Sequence, residues 1–237
     1  MTGNEQEIYG MFEGFTEKTP AFLLELAFNN ERPWFAAHRD EFEEHVNGPM
    51  KALMRETVDR LNERYPDVGF EGHLSRIYRD ARRLFGRGPF KDHLWMSVNS
   101  ADAGRHGPAF WFEISPRGCS YGAVWYEISP AGMAGFRSAI DANPARFARI
   151  AEDIAKIDGI WLCGEEYARP KGDLGETINP WYNRKSVGCG RERGFEGDML
   201  SPELPEILAG EYARFMPLYD FLRELYRTVG DPVREER

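Results

Sequence analysis

Residues 76–95 read Arg-Ile-Tyr-Arg-Asp-Ala-Arg-Arg-Leu-Phe-Gly-Arg-Gly-Pro-Phe-Lys-Asp-His-Leu-Trp, and they hold the side chains best suited to chemistry. Between Arg76 and His93 stand six Lys/Arg and two acids, Asp80 and Asp92, a local charge of +4. The whole chain carries −9, so the remainder stands at −13. Concentrated positive charge in an acidic protein needs a partner, either internal carboxylates or an external anion. Arginine offers a planar fork of donors that suits carboxylate and phosphate oxygens. If residues 76–80 run extended, Arg76, Tyr78 and Asp80 share one face, and Asp80 is placed to hold a nearby arginine fork. One reading is an anion site built from Arg79, Arg82 and Lys91, with the backbone amides of the turn at 86–88 beside them. Arg76 and Asp80 belong to the same candidate set. The other reading is an internal network in which these cations pair with Glu113, Glu127 or helix carboxylates.

Other chemistry is poorly supported. The Gly-Arg-Gly-Pro-Phe-Lys segment lacks the G-x-x-x-x-G-K-[ST] of a phosphate loop, and no G-x-G-x-x-G opens a helix after a strand. No G-x-S-x-G elbow marks a nucleophile. His38 and His45 lie seven apart with no third ligand, and no Cys/His cluster exists, so neither a metal nor a cofactor is expected. His93 is an open candidate for a general base. Cys119, Cys163 and Cys189 are odd in number and far apart, which reads as free thiols in a cytoplasmic protein.

The elements that must position the basic stretch follow from periodicity. Thr19-Pro20 opens a helix with Phe22, Leu23 and Leu26 on its stripe, and Asn29-Asn30 stops it. Pro33 starts a second helix carrying Trp34, Phe35 and Phe42. Trp34 is either core or a wall of a pocket beside the basic stretch. Gly48-Pro49 breaks the chain and starts a third helix, which ends at Pro66. Residues 84–91 read as a loop and 93–99 as a strand. Residues 109–115 and 119–129 read as a β-hairpin around Pro116-Arg117-Gly118. Alternation gives it a core face of Phe110, Phe112, Ile114, Val124, Tyr126 and Ile128. Its other face mixes aromatics with carboxylates: Trp111, Glu113, Tyr121, Trp125 and Glu127. The basic stretch is expected to lie over that second face, with Arg79 and Arg82 reaching Glu113 or Glu127, so Trp111, Glu113 and Trp125 join the candidate site. Helices follow at 130–157, the first short and the second capped by Asn143-Pro144, and again at 201–228, where Pro217 kinks or divides the run. Residues 169–197 are loops with one or two short strands, and residues 233–237 are a charged, frayed tail.

These residues carry a resemblance. Asn29-Asn30-Glu31-Arg32-Pro33-Trp34-Phe35, then Arg76-Ile77-Tyr78-Arg79-Asp80-Ala81-Arg82 continuing to Pro89-Phe90-Lys91, then the hairpin with Tyr121-Gly122-Ala123 and Phe136-Arg137, are similar to an uncharacterised bacterial family, domain of unknown function 2461. The likeness spans roughly residues 12–140, with a looser match beyond. The chain departs from the family at Arg83, where an aromatic is usual, and at Gly86 and Gly88. The resemblance implies a fold and a shared pocket, and no reaction.

Composition sets the outer limits. At 237 residues, 42% hydrophobic and 14% aromatic, the chain is globular. No run of about 18 apolar residues predicts a membrane span, and the first seven residues lack a signal-peptide pattern. A charge of −9 argues against general nucleic-acid binding. The expected protein is therefore a single α+β domain, an antiparallel sheet packed with several helices, located in the cytoplasm. Its expected partner is a small anionic molecule, with phosphate among the candidate groups. Two alternatives use the same loop: a nucleic-acid-associated protein with Trp111 or Trp125 stacking on bases, or a module docking an acidic protein. The residues fix neither a reaction nor an oligomeric state.

Overall fold

The helical stripes fold as their spacing predicts, with one change of geometry that matters for the site. A computed structural model of the chain describes residues 10–80, 82 and 86–229. The first helix, α1 (Lys18–Phe28), buries Phe22, Leu23 and Leu26, and Asn29 closes it with its N–H on the Glu25 carbonyl. Thr19 does not cap it. The residue lies inside the helix, and its hydroxyl donates to the His45 carbonyl at 2.8 Å. Helix α2 (Arg32–Ala37) takes Pro33 in its first turn.

Helix α3 (Arg39–Phe42) then runs into a π-helical turn (Glu43–Asn47) and on into α4 (Gly48–Arg64). Gly48-Pro49, expected to break the chain, instead widens the helix. Pro49 has no N–H, so the usual donor four residues on from the His45 carbonyl is missing. The Thr19 hydroxyl donates to that carbonyl. Gly48 donates to the Glu43 carbonyl, five residues back, and a Cβ there would stand 2.7 Å from that oxygen.

The six strands among the described residues are β1 (Phe70–Leu74), β2 (Leu94–Ser100), β3 (Ala109–Ser115), β4 (Gly118–Trp125), β5 (Ile160–Leu162) and β6 (Val187–Arg193). They form one antiparallel sheet in the order β1-β2-β3-β4-β6-β5, with Ile160 opposite Arg191 and Leu162 opposite Cys189 at its β5 edge. This is a single-domain α+β fold. Strands β1 and β5 were not expected; β6 falls in the glycine-rich region where a short strand was.

The hairpin turns over two residues, Pro116 and Arg117, not three. A one-residue change in the turn flips every side chain of the following strand. Phe110, Phe112 and Ile114 therefore share the core with Cys119, Tyr121, Ala123 and Trp125, all buried. Tyr126, assigned to the core face by a three-residue turn, is 86% exposed.

Ser129 caps α5 (Pro130–Ala142), its hydroxyl accepting from Gly132 N–H. Asn143 caps α6 (Pro144–Ala155) through Arg146 N–H at 3.1 Å. A short α7 (Asn179–Tyr182) precedes α8 (Leu204–Val229), which runs through Pro217 undivided. None of the described helices is long and apolar enough to cross a membrane. The tail at 233–237, the first seven residues and part of the loop at 84–91 lie outside the described residues.

The chain groups into two compact units. The first takes residues up to Val98 with Phe112–Ser120 and Arg193–Gly210. Its core includes Phe22, Leu53, Phe90 and Ile114, and Phe35 stacks on Phe90 at 4.3 Å. The second takes Asn99–Trp111, Tyr121–Glu192 and the chain from Glu211 onward. There Phe110 lies between Tyr212 and Tyr219, at 4.7 and 4.6 Å, and Phe136 and Phe147 pack on Phe221.

Candidate functional site

The basic stretch begins extended, because it pairs with its own far end. Tyr78 bridges Phe90, Arg79 N–H donates to Pro89 O at 2.8 Å, and Lys91 N–H donates to Ile77 O at 2.8 Å. Asn30, just before α2, clamps the pair from the side. Its amide donates to Phe90 O and accepts from Phe90 N–H, both at 2.9 Å. Gly88 passes so close to that amide that a Cβ would collide with it. The Asn-Asn-Glu-Arg-Pro and Pro-Phe-Lys segments are thus two halves of one joint.

Two of the arginines are already paired. Arg79 donates through Nε to Phe90 O at 2.7 Å and stands 3.6 Å from Asp92, with its side chain 15% exposed. Arg82 reaches back two residues, its Nε and Nη2 on the Asp80 carboxylate at 3.2 and 3.1 Å. Its side chain is 89% exposed. Neither meets Glu113 or Glu127 as the sequence predicted; Glu127 instead pairs with His106 at 2.5 Å.

Lys91 is the cation that feels Glu113. Both are half-buried. Burial pushes the Glu113 carboxyl above its ordinary value, against the pull of His93 and Lys91 and with the push of Asp92. Burial lowers the Lys91 ammonium, against the pull of Glu113. The ammonium also stands 5.8 Å from the Trp95 ring centre. Asp92 holds His93 Nδ1 at 3.0 Å.

Arg76 differs from these. Its side chain has no hydrogen bond or ion pair among the described residues, and neither has the side chain of Arg39. Both line a cleft of about 300 Å³. Arg39, Glu43, Asn47 and Lys51 form one wall, each four residues from the last, while Leu74, Ser75, Arg76, Ile77 and Tyr78 form the other, and Phe35 and Phe42 complete the lining. Spacing by four drifts about 40° per step around a pure α-helix. The wide π turn takes up that drift, so four polar side chains share the cleft. Glu43 accepts from Asn47 at 2.6 Å and stands 3.9 Å from Lys51. Three cations and one carboxylate leave the cleft at +2.

The tryptophans of the candidate set go elsewhere. Trp34 stacks on His38 at 4.1 Å, outside the cleft lining. Trp111 lies 6.0 Å from Trp161, and its carbonyl accepts from Tyr212 at 3.0 Å. Trp125 is a correction: it is fully buried, with Nε1 donating to His106 O at 2.9 Å, so it is core and presents no surface to a ligand. Sequence reasoning missed Arg39 and Lys51. Their signal was the polar stripe at 39, 43, 47 and 51, hidden by reading Gly48-Pro49 as a break.

A family model matches residues 18–221, well over half the chain. The chain belongs to the conserved hypothetical protein family DUF2461. The matched span of this DUF2461 protein takes in every residue of the cleft and the Lys91–Glu113 group. The family's description names no activity, and no curated protein matches the chain.

Proposed function

We propose that this protein binds a small anionic ligand, phosphate or carboxylate, in the cleft between the helical wall of Arg39 and Lys51 and the extended segment carrying Arg76. One observation carries the reading. Arg39 and Arg76 come from different elements and line the same cleft, and neither side chain is in an ion pair or hydrogen bond among the described residues, the one carboxylate of the lining, Glu43, standing with Asn47 and Lys51. In a chain at −9, two such forks are the natural contacts of an external anion. Arg79 and Arg82, the first candidates, serve as supports for the stretch. A cytoplasmic setting is proposed with it, on the three free thiols.

Calorimetric titration with inorganic phosphate, sulfate and acetate tests this. A charge-assisted hydrogen bond contributes about 1.5–3 kcal/mol, so Arg76→Gln and Arg39→Gln should each weaken binding by about tenfold or more. Arg82→Gln, exposed and paired with Asp80, should leave it unchanged. Equal binding by wild type and both cleft variants removes the cleft from the reading.

A further inference from the structure

The cleft holds more than an anion site needs. Its volume of about 300 Å³ falls at the small end of pockets that take organic ligands. An inorganic anion held between two guanidiniums would leave much of that space to water. Apart from Ser75, the remaining lining is apolar: Phe35, Phe42, Leu74, Ile77 and the ring of Tyr78. Tyr78 is 48% exposed, one of few large hydrophobic side chains among the described residues left so open. Its position is fixed nonetheless. The backbone bridge to Phe90 holds the residue, and its ring stands edge-on to Phe35 at 6.0 Å and tilted against Phe90 at 5.2 Å. A rigid ring beside a cationic wall is a ready surface for an apolar group.

Resting on the anion reading above, we infer that the ligand is a small organic phosphate or carboxylate whose apolar, ring-sized body lies on Tyr78 and Leu74 while its charged end meets Arg39 and Arg76. Recognition is then two-part. The arginines select the charge, and the aromatic wall selects against bare inorganic ions. Lys51, beside Glu43, supports the charged end.

A ligand series on the unaltered protein separates the two parts. Phenyl phosphate should bind at least tenfold tighter than inorganic phosphate, and benzoate at least tenfold tighter than acetate. The tighter of the two ring compounds identifies the headgroup. Phenol, which has the ring and no anionic charge at neutral pH, should bind far more weakly than either. Tyr78→Ala should erase the advantage of phenyl phosphate while keeping the affinity for inorganic phosphate. If inorganic phosphate binds and phenyl phosphate gains nothing over it, the two-part ligand is wrong and the anion site stands. If phenol binds as tightly as phenyl phosphate, or no anion binds at all, the anion site itself is wrong, and the inference goes with it.

Discussion

Glu113 and Lys91 bear opposite charges in half-buried positions, and burial moves both toward neutrality. For Glu113 this has a definite pH signature. An unfolded chain's carboxyl titrates near 4.5, and the folded one holds its proton to higher pH. Between those values the folded state binds more protons, so stability falls as pH rises, and the full penalty is present above the folded value. Lys91, its folded value lowered from 10.5, acts in a separate window just below that value, where stability rises with pH. Glutamine at 113 mimics the protonated acid among His93, Lys91 and Asp92. Glu113→Gln should therefore raise the melting temperature at pH 8 and leave it nearly unchanged at pH 4. An equal shift at both pH values would show that burial of the charge is not the cause. Asp102 is the opposite case. Burial pushes its carboxyl up, but Ser100, Arg223 and Arg227 outweigh this and hold it at about 2.

Among the elements, the π turn does most to shape the cleft. An extra residue per turn is a poor bargain for a helix, and such turns persist where they place side chains. Here the turn rests on Gly48, on the missing N–H of Pro49 and on the Thr19 hydroxyl. Glycine to alanine in a helix usually stabilises by up to about 1 kcal/mol. Gly48→Ala should do the reverse, destabilising by about 1–2 kcal/mol, because its Cβ meets the Glu43 carbonyl. It should also weaken phosphate binding by shifting Lys51 and Asn47. A more stable variant with unaltered binding would remove the turn from the argument. The sequence announced most of the helices, because their apolar residues recur at three and four. It announced the hairpin but not its turn length, so alternation assigned Trp125 and Tyr121 to the wrong face. Strand β1 carries Phe-Glu-Gly-His-Leu, with one buried residue, and β5 has three residues, so neither offers an alternating pattern to read. Asp80 as the holder of an arginine fork was legible because the partner, Arg82, lies two residues away. Arg39 beside Arg76 was not, because nothing local ties residues so distant in sequence.

At the scale of the molecule, charge limits what kind of anion the proposed site could take. The cleft is at +2 while the chain is at −9. A small ion inside the cleft would have the lining arginines as its neighbours. A long polyanion must also lie against the acidic remainder, and repulsion acts over about 8 Å at physiological salt. The basic stretch is further neutralised by its own acids, since Asp80 takes Arg82 and Asp92 takes Arg79. Nucleic-acid binding draws most of its strength from many phosphate contacts and the counterions they release. Among the described residues of the cleft, the arginine side chains without a protein partner are Arg39 and Arg76, so few such contacts are on offer there. A 20-base-pair duplex should therefore show no binding in 0.15 M salt and should not displace phenyl phosphate. Micromolar duplex binding, falling steeply with salt and weakened by Arg76→Gln, would reverse the ranking and make the cleft part of a nucleic-acid surface.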